Sequence, residues 1–319
     1  MNPERLPADA VLAANRIAPY IRHTPLEYSP FFSEQTGASV WLKLENLQLT
    51  GSFKLRGAFN KLLSLTATER EQGAVAASSG NHGAAVAWAM QKLGVDGVIF
   101  VPEQTSSVKV EAIRRAGVRV EFFGEDGLDT ETHAREYAAA SGMHYLSPYN
   151  DDVVVAGQGS CGVEIAKQLN RVDALFVAVG GGGLIAGSGA FLRSAYPRVR
   201  IYGCQPAASA VMAESVRQGR ILDLPSAPTL SDGTAGGIEP GAVTFELCRD
   251  LVDDFVLVSE EQIAAAMRDF IDAQHMLLEG SAGVALAGLR KKALDCRGKN
   301  VVVIVCGANI SRETLRKVI

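Results

Sequence analysis

Ala174-Leu175-Phe176-Val177-Ala178-Val179 runs directly into Gly180-Gly181-Gly182-Gly183, and from Leu184 a helical pattern continues to position 196. A short, wholly apolar run that ends in a turn reads as a strand buried on both faces, the habit of parallel sheets. Strand, glycine turn and helix make one step of an α/β fold. Working outward, the same step recurs. Upstream, positions 40–44, 74–77, 97–101, 118–123 and 143–146 read as strands, with helical patterns at 53–65, 84–93, 108–116 and 128–141. Downstream, 200–204 and 301–305 read as strands, and 162–169, 260–275 and 281–292 as helices. The expected fold is α/β: two interleaved, open, twisted, mostly parallel sheets with helices on both faces. Residues 1–68 and 146–319 are expected to form a larger domain, and 69–145 a smaller, mobile one. No Pro/Gly/Ser-rich linker, short repeat or low-complexity tract interrupts the pattern.

The 319 residues are 47% hydrophobic and 21% charged, which suits a folded globular enzyme and argues against disorder. The net charge is -4 and both signs are scattered, so nucleic acid is not an expected partner. No apolar run reaches the roughly 18–20 residues that span a bilayer, so no membrane role is expected. Positions 1–20 carry acids and prolines and lack the apolar core of a signal peptide. The five cysteines, Cys161, Cys204, Cys248, Cys296 and Cys306, are odd in number and form no C-x-x-C. Reduced thiols and a cytoplasmic location are expected.

Three turns carry the chemistry. Gly180, Gly181, Gly182 and Gly183 let backbone N–H groups approach an anion closely, and the helix that follows adds its free amides and positive dipole end. This suits a phosphate. The spacing Gly181-x-Gly183-x-x-Ala186 also fits a loose dinucleotide fingerprint, but the next strand ends in Gln205-Pro206, without the acid that would hold a ribose. A glycine turn serving only tight strand–helix packing is the plain alternative. Lys54 lies in Thr50-Gly51-Ser52-Phe53-Lys54-Leu55-Arg56-Gly57. With Ser52 capping the next helix, Lys54 falls in its first turn, where the dipole disfavours a cation and lowers the amine pKa. Ala77-Ser78-Ser79-Gly80-Asn81-His82-Gly83 follows a strand, where α/β proteins place ligands. Its hydroxyls and amides suit a carboxylate; Ser78 or Ser79 as an N-cap is the structural alternative. His82 reads as a structural hydrogen-bonding residue, since no second histidine stands at metal-ligand spacing. Cys306-Gly307-Ala308-Asn309 closes the last strand, and an inert buried thiol is its bland reading. Glu279-Gly280-Ser281-Ala282-Gly283 is explained by helix capping alone.

Together these segments resemble the pyridoxal-phosphate (PLP) dependent threonine and serine dehydratases and the related serine racemases, enzymes of fold type II built like the tryptophan synthase β chain. The likeness rests on Ser52-Phe53-Lys54-Leu55-Arg56-Gly57-Ala58, on Ser78-Ser79-Gly80-Asn81-His82-Gly83, on the four glycines with Leu184, and on Cys306-Gly307-Ala308-Asn309. The resemblance implies that Lys54 is joined to the cofactor aldehyde and later serves as base at the substrate α-carbon. It implies that Phe53 and Asn81 flank the ring, with Asn81 reaching its phenolic oxygen. Gly180, Gly181, Gly182, Gly183 and Leu184 would hold the phosphate, and Cys306 would face the pyridine nitrogen. Ser79 matches the second acid/base of the racemases. The backbone of the turn formed by Ser78, Ser79, Gly80, Asn81 and His82 would bind the substrate carboxylate.

Departures from the family pattern add expectations. Cys306 stands where many relatives have serine; either is a weak acid that leaves the ring nitrogen without a full proton, which favours prompt loss of a β-hydroxyl. Gln205 and Val211 stand where metal-binding relatives offer oxygen ligands, with Ser209 nearby, so no metal site is expected. A C-terminal regulatory domain and feedback by branched-chain amino acids are not expected. The implied activity is a lyase reaction that converts L-threonine, L-serine or a related β-hydroxy amino acid to a 2-oxo acid and ammonia by α,β-elimination. The small amino acid is the expected partner, with a homodimer or homotetramer as the assembly. The alternatives are serine racemisation through Lys54 and Ser79, a dehydratase of a special substrate (phenylserine, hydroxyaspartate or a hydroxyectoine product), and a non-catalytic nucleotide-binding protein.

Overall fold

The computed structural model describes residues 3–319. Its ten strands are β1 (Leu26–Tyr28), β2 (Ser39–Lys43), β3 (Ala74–Ala77), β4 (Gly97–Val101), β5 (Arg119–Phe122), β6 (His144–Tyr145), β7 (Ala174–Ala178), β8 (Arg200–Pro206), β9 (Asp254–Val258) and β10 (Asn300–Ile304). They form two sheets. The larger has the order β1-β2-β10-β7-β8-β9, and the smaller β5-β4-β3-β6. Among the pairings of these strands, the β1–β2 one is antiparallel and the rest are parallel. This is the expected architecture. Strand β2, early in the chain, lies beside β10, the last, with Leu42 opposite Val303. The small sheet is therefore inserted between β2 and β7 of the large one.

The helices that concern the site are α1 (Leu6–Ile17), α2 (Lys54–Ser64), α3 (Asn81–Leu93), α4 (Gly127–Ser141), α5 (Asp152–Gln168), α6 (Gly183–Ala195), α7 (Val211–Gln218), α8 (Glu260–Gln274) and α9 (Gly280–Lys291). Strands β7 and β10 are almost wholly buried, and with Val40, Leu42, Ile201 and Val256 they make the main core. A second core joins α2 to the small sheet through Leu55, Ala58, Phe59 and Leu62 against Ala74, Ala76 and Ile99. Burial of this kind, worth about 25 cal/mol per Å² of apolar surface, holds the layers together.

Helix α5 is longer than its sequence pattern suggests: it starts at Asp152, not at 162. Asp151 caps it by accepting from the amides of Val153 and Val154. Gly157, Gly159 and Gly162 hide its first half from a periodicity count. Each is a contact point, where a Cβ would press on Gly57 Cα at 2.7 Å, Gly187 O at 3.0 Å and Ser188 O at 2.7 Å respectively. The glycines let α5 lie close against α2 and α6. Helix α1 and strands β1 and β9 were absent from the sequence expectation as well.

A buried charge cluster fixes α2. Arg56, fully enclosed, donates to Glu45 Oε1 and Oε2 at 2.7 and 2.8 Å and to Glu164 Oε1 and Oε2 at 2.8 and 2.9 Å. Lys43 Nζ donates to the same Glu164 at 2.6 Å and to Thr24 O at 2.7 Å. Paired this way, the buried charges avoid the large cost of an isolated ion. They tie the end of β2, the first turn of α2 and the body of α5 to one another.

Candidate active site

Four strand ends converge. β2 leads to Lys54, β3 to Asn81, β7 to the four glycines and β10 to Cys306, and carboxyl ends of parallel strands are where open α/β sheets bind ligands. The Lys54 loop docks on the end of β10: the Phe53 amide donates to Cys306 O at 3.1 Å and the Ala308 amide to Gly51 O at 2.8 Å. Gly51 sits at φ +72, which the close approach of Asn309 requires of a residue without a Cβ.

Lys54 is the first residue of α2, as the motif suggested, but Ser52 does not cap it. The N-cap is Phe53, without a side-chain bond, and the Ser52 hydroxyl is buried with no partner. The Lys54 amine donates to Pro148 O at 2.9 Å. Burial pushes its pKa down to about 8, against the opposing pull of Cys306, Glu131 and Glu279. Desolvation, rather than the helix dipole argued from sequence, is the main cause. The Phe53 ring centre lies 5.4 Å from the amine.

The tetraglycine turn has Gly182 at φ +85 as the N-cap of α6, again with no side chain capping the first amides. A Cβ on Gly181 would collide with the ring of Tyr149, and one on Gly180 would come within 3.0 Å of Thr234 Cα. The turn is therefore walled by Tyr149 and Thr234, with uncommitted amides at a helix N-terminus. The Leu184 side chain is buried in the large core, which leaves only its backbone for a ligand.

Asn81 opens α3, three residues earlier than expected. Its Nδ2 donates to both oxygens of Glu279 at 2.9 and 3.0 Å, and its Oδ1 accepts from Asn309 Nδ2 at 2.6 Å. Neither Ser78 nor Ser79 caps this helix. The N-cap is Gly80, and Ser78 Oγ accepts from the Gly80 amide at 3.1 Å. Ser79 is half-buried. His82 donates from Nε2 to Leu146 O at 2.8 Å; burial, with the Lys54 charge, pushes its pKa down to about 3, so the ring is neutral. Burial also raises the Cys306 thiol well above its ordinary value, keeping it protonated.

Glu279 corrects the sequence reading. It occupies the N-cap of α9 but makes no cap; its carboxylate accepts from Asn81 and, at 3.1 Å, from the Asn309 amide. Burial lifts its pKa to about 7. The signal available in the sequence was weak: an acid just before a helix of small and apolar residues, where burial of the helix buries the acid too. The metal expectation concerned Gln205, Ser209 and Val211. Gln205 Nε2 donates to Val179 O at 2.9 Å and its Oε1 accepts from the Ala213 amide at 2.8 Å. Ser209 Oγ pairs with Ser226 Oγ at 2.8 Å, and the Val211 side chain lies in the core.

A family model described as pyridoxal-phosphate dependent enzyme matches residues 17–307. The chain belongs to the pyridoxal-phosphate dependent enzymes. Among curated relatives, the catabolic L-threonine dehydratase of Escherichia coli is 38% identical over 97% of this chain and 94% of its own length. The L-threonine ammonia-lyase of Thermotoga maritima is 39% identical over 94% of this chain and 74% of its own. Among solved structures, the processed threonine deaminase isoform 2 of Solanum lycopersicum superposes with a TM-score of 0.94 at 35% identity, covering 98% of this chain and 86% of that one. Maize serine racemase gives 0.91 at 30% identity, covering 97% and 95%. The cofactor is pyridoxal 5'-phosphate, and the site fits it: a buried amine of lowered pKa on one side, and a glycine turn with free helix-terminal amides on the other.

Proposed function

We propose that this enzyme converts L-threonine, L-serine or a related β-hydroxy amino acid to a 2-oxo acid and ammonia. The observation that carries the reading is Lys54, an amine buried at the meeting of four strand ends that, among the described residues, donates to a single carbonyl oxygen. The bound cofactor supplies an electron sink for the pair left behind when the α-proton departs. Lys54 is the group that anchors it and then takes that proton. Phe53 and Asn81 would flank the ring, Cys306 would offer a neutral thiol to its nitrogen, and the amides of Gly180, Gly181, Gly182, Gly183 and Leu184 would hold the phosphate. The substrate carboxylate takes the amides at the start of α3, beside Ser78 and Ser79. Loss of hydroxide with a proton, followed by hydrolysis of the unsaturated amine in water, gives the products.

The similarity to serine racemases keeps one alternative open through Ser79, the candidate acid/base on the face away from Lys54. Incubation with L-serine decides it: pyruvate and ammonia in excess of D-serine support elimination, and D-serine in excess refutes it. Lys54→Ala should abolish both the visible absorbance of the cofactor and oxo-acid release. The enzyme is read as cytoplasmic, which its five buried free cysteines support. It is read also as a homodimer or homotetramer, which sedimentation checks.

A further inference from the structure

Asn81, on the small-sheet side, is held by two residues of the large-sheet side. Its Nδ2 lies 2.9 and 3.0 Å from the two oxygens of Glu279, and its Oδ1 accepts from Asn309 Nδ2 at 2.6 Å. Asn309 Nδ2 also donates to Thr50 O at 2.9 Å, and the Asn309 amide donates to Glu279 Oε2 at 3.1 Å. Glu279 is buried against the turn that follows β10. Its own amide donates to Gly307 O at 3.0 Å, and a Cβ on Gly307 would come within 2.6 Å of Oε2. Its charge acts on the Lys54 amine and on the Cys306 thiol. The group therefore borders the residues read as holding the cofactor, yet no step of the proposed reaction uses Glu279 or Asn309.

These bonds have a direction. An ionised carboxylate only accepts, so the edge of the Asn81 amide that meets Glu279 is its NH₂. Thr50 O only accepts too, so it is the Asn309 NH₂ that stands between Thr50 and Asn81 Oδ1. Reversed, the Asn81 amide would set its oxygen against a buried carboxylate and its NH₂ against another NH₂, which leaves both ends unsatisfied. One orientation remains. In it a single N–H of Nδ2, shared by the two oxygens, satisfies Glu279, and the second N–H is left for a ligand. Resting on the reading that Asn81 reaches the phenolic oxygen of the cofactor ring, we propose that Glu279, with Asn309, is a positioning residue that acts through Asn81. It holds the amide so that an N–H, and not the C=O, is turned to that oxygen. A donor there stabilises the ionised oxygen and so tunes the electronics of the ring from a residue that does not touch it. A carboxylate acting directly by its charge would do the opposite, since a like charge disfavours an anion. The two roles differ in sign.

The test reads the absorbance of the resting holoenzyme, without substrate, above pH 7, where Glu279 carries its charge. The ionised phenolic oxygen goes with the visible band of the bound cofactor and the protonated one with a near-ultraviolet band. Asn81→Ala and Glu279→Ala should each lower the ratio of visible to near-ultraviolet absorbance by about tenfold. The double variant should be no lower than Asn81→Ala alone, because both changes remove the same contact. Glu279→Gln keeps the size, but its one carbonyl must serve both Asn81 and the Asn309 amide, so its ratio should fall less and in the same direction. Melting temperature reports that each variant is folded. A rise of the ratio in either Glu279 variant shows a direct effect of charge and overturns the proposal; so does an added loss in the double variant. Lys54→Ala separates the two failures. If the visible band survives in that variant, or if Asn81→Ala leaves the ratio unchanged, the reading of the site falls and this inference with it. If Lys54 and Asn81 behave as expected and Glu279 does not, only the positioning role falls.

Discussion

The Lys54 amine and the Pro148 carbonyl oxygen, 2.9 Å apart, join the turn after β2 to the chain just beyond β6. A carbonyl accepts from an ammonium and from a neutral amine alike, so this bond does not lock the charge. Burial decides it, and the result is a pKa of about 8. The neutral amine is the form that attacks an aldehyde. Uptake of pyridoxal 5'-phosphate by the apoenzyme should therefore quicken as pH rises and level off above a midpoint near 8, followed by the growth of visible absorbance. The stability of the apoenzyme should move the same way. Between that pKa and the ordinary 10.5 the unfolded chain binds more protons, so stability rises with pH in this window. A profile centred near 10 would show the amine to be solvated.

Glu279 gives the opposite slope. Its carboxyl is lifted from 4.5 to about 7, so between those values the folded state holds the extra proton. Stability of the apoenzyme should fall as pH rises through that window, and then stay flat. Glu279→Gln keeps the size but cannot ionise. Its melting temperature should lose the decline between pH 4.5 and 7, although one donor, from Asn81 or Asn309, will then face an amide N–H. Thermal melts of both proteins across pH check it; parallel curves would refute burial as the cause.

These two groups also show how much the sequence made legible. The glycine turn, Lys54 and Cys306 sit at strand ends, and strand ends are visible as apolar runs that stop. Glu279 and Arg56 sit on helices or at their entry, where an acid or arginine looks like any solvated charge. What sets them apart is burial and a partner far along the chain: Asn81 is 198 residues from Glu279, and Glu164 is 108 from Arg56. No local pattern encodes such a pairing. The first half of α5 was lost for another reason: glycines chosen for close helix contact erase the periodicity that marks a helix.

The ring of Tyr149 over the tetraglycine turn makes Gly181 a sensitive position. Gly181→Ala has no room for its methyl group unless the tyrosine moves. Overpacking of this kind costs about 1–3 kcal/mol. The turn that should hold the phosphate would shift with it. The expected outcome is a higher dissociation constant for the cofactor, by roughly tenfold or more if about 1.4 kcal/mol of the strain falls on binding, with the pH midpoint of Lys54 unchanged. Titration of the apoprotein with pyridoxal 5'-phosphate measures both. Equal affinity in the variant would place the phosphate elsewhere.

Arg56 stands two residues beyond Lys54 and is held by Glu45 and Glu164. Replacement by alanine leaves two buried carboxylates facing only Lys43 and Thr24. Breaking a buried pair in this way costs about 3–5 kcal/mol. Arg56→Lys supplies one charge but not the fork that satisfies both acids, and should recover only part of the loss. Chemical denaturation of the apoenzyme reads the stability. The cofactor absorbance of the lysine variant reads whether the first turn of α2 still presents Lys54. Full stability in the alanine variant would mean that the cluster carries no structural role.

Gln205 supplies the last prediction. Its amide closes a bridge between Val179 O, next to the glycine turn, and the Ala213 amide in the first turn of α7. Both ends of the side chain are satisfied by protein groups, so this position asks for no cation. Activity and melting temperature should be unchanged by a chelator and by added Mg²⁺ or Ca²⁺. Gln205→Glu turns the donor toward Val179 O into an acceptor, so two oxygens would face each other in a buried place. Loss of that bond with a charge left unpaired costs about 1–3 kcal/mol or more. The variant should melt earlier, and its cofactor should be held more weakly because Val179 leads into Gly180. If a chelator inactivates the unaltered enzyme, a cation is bound here or nearby and the glutamine bridge is not its substitute.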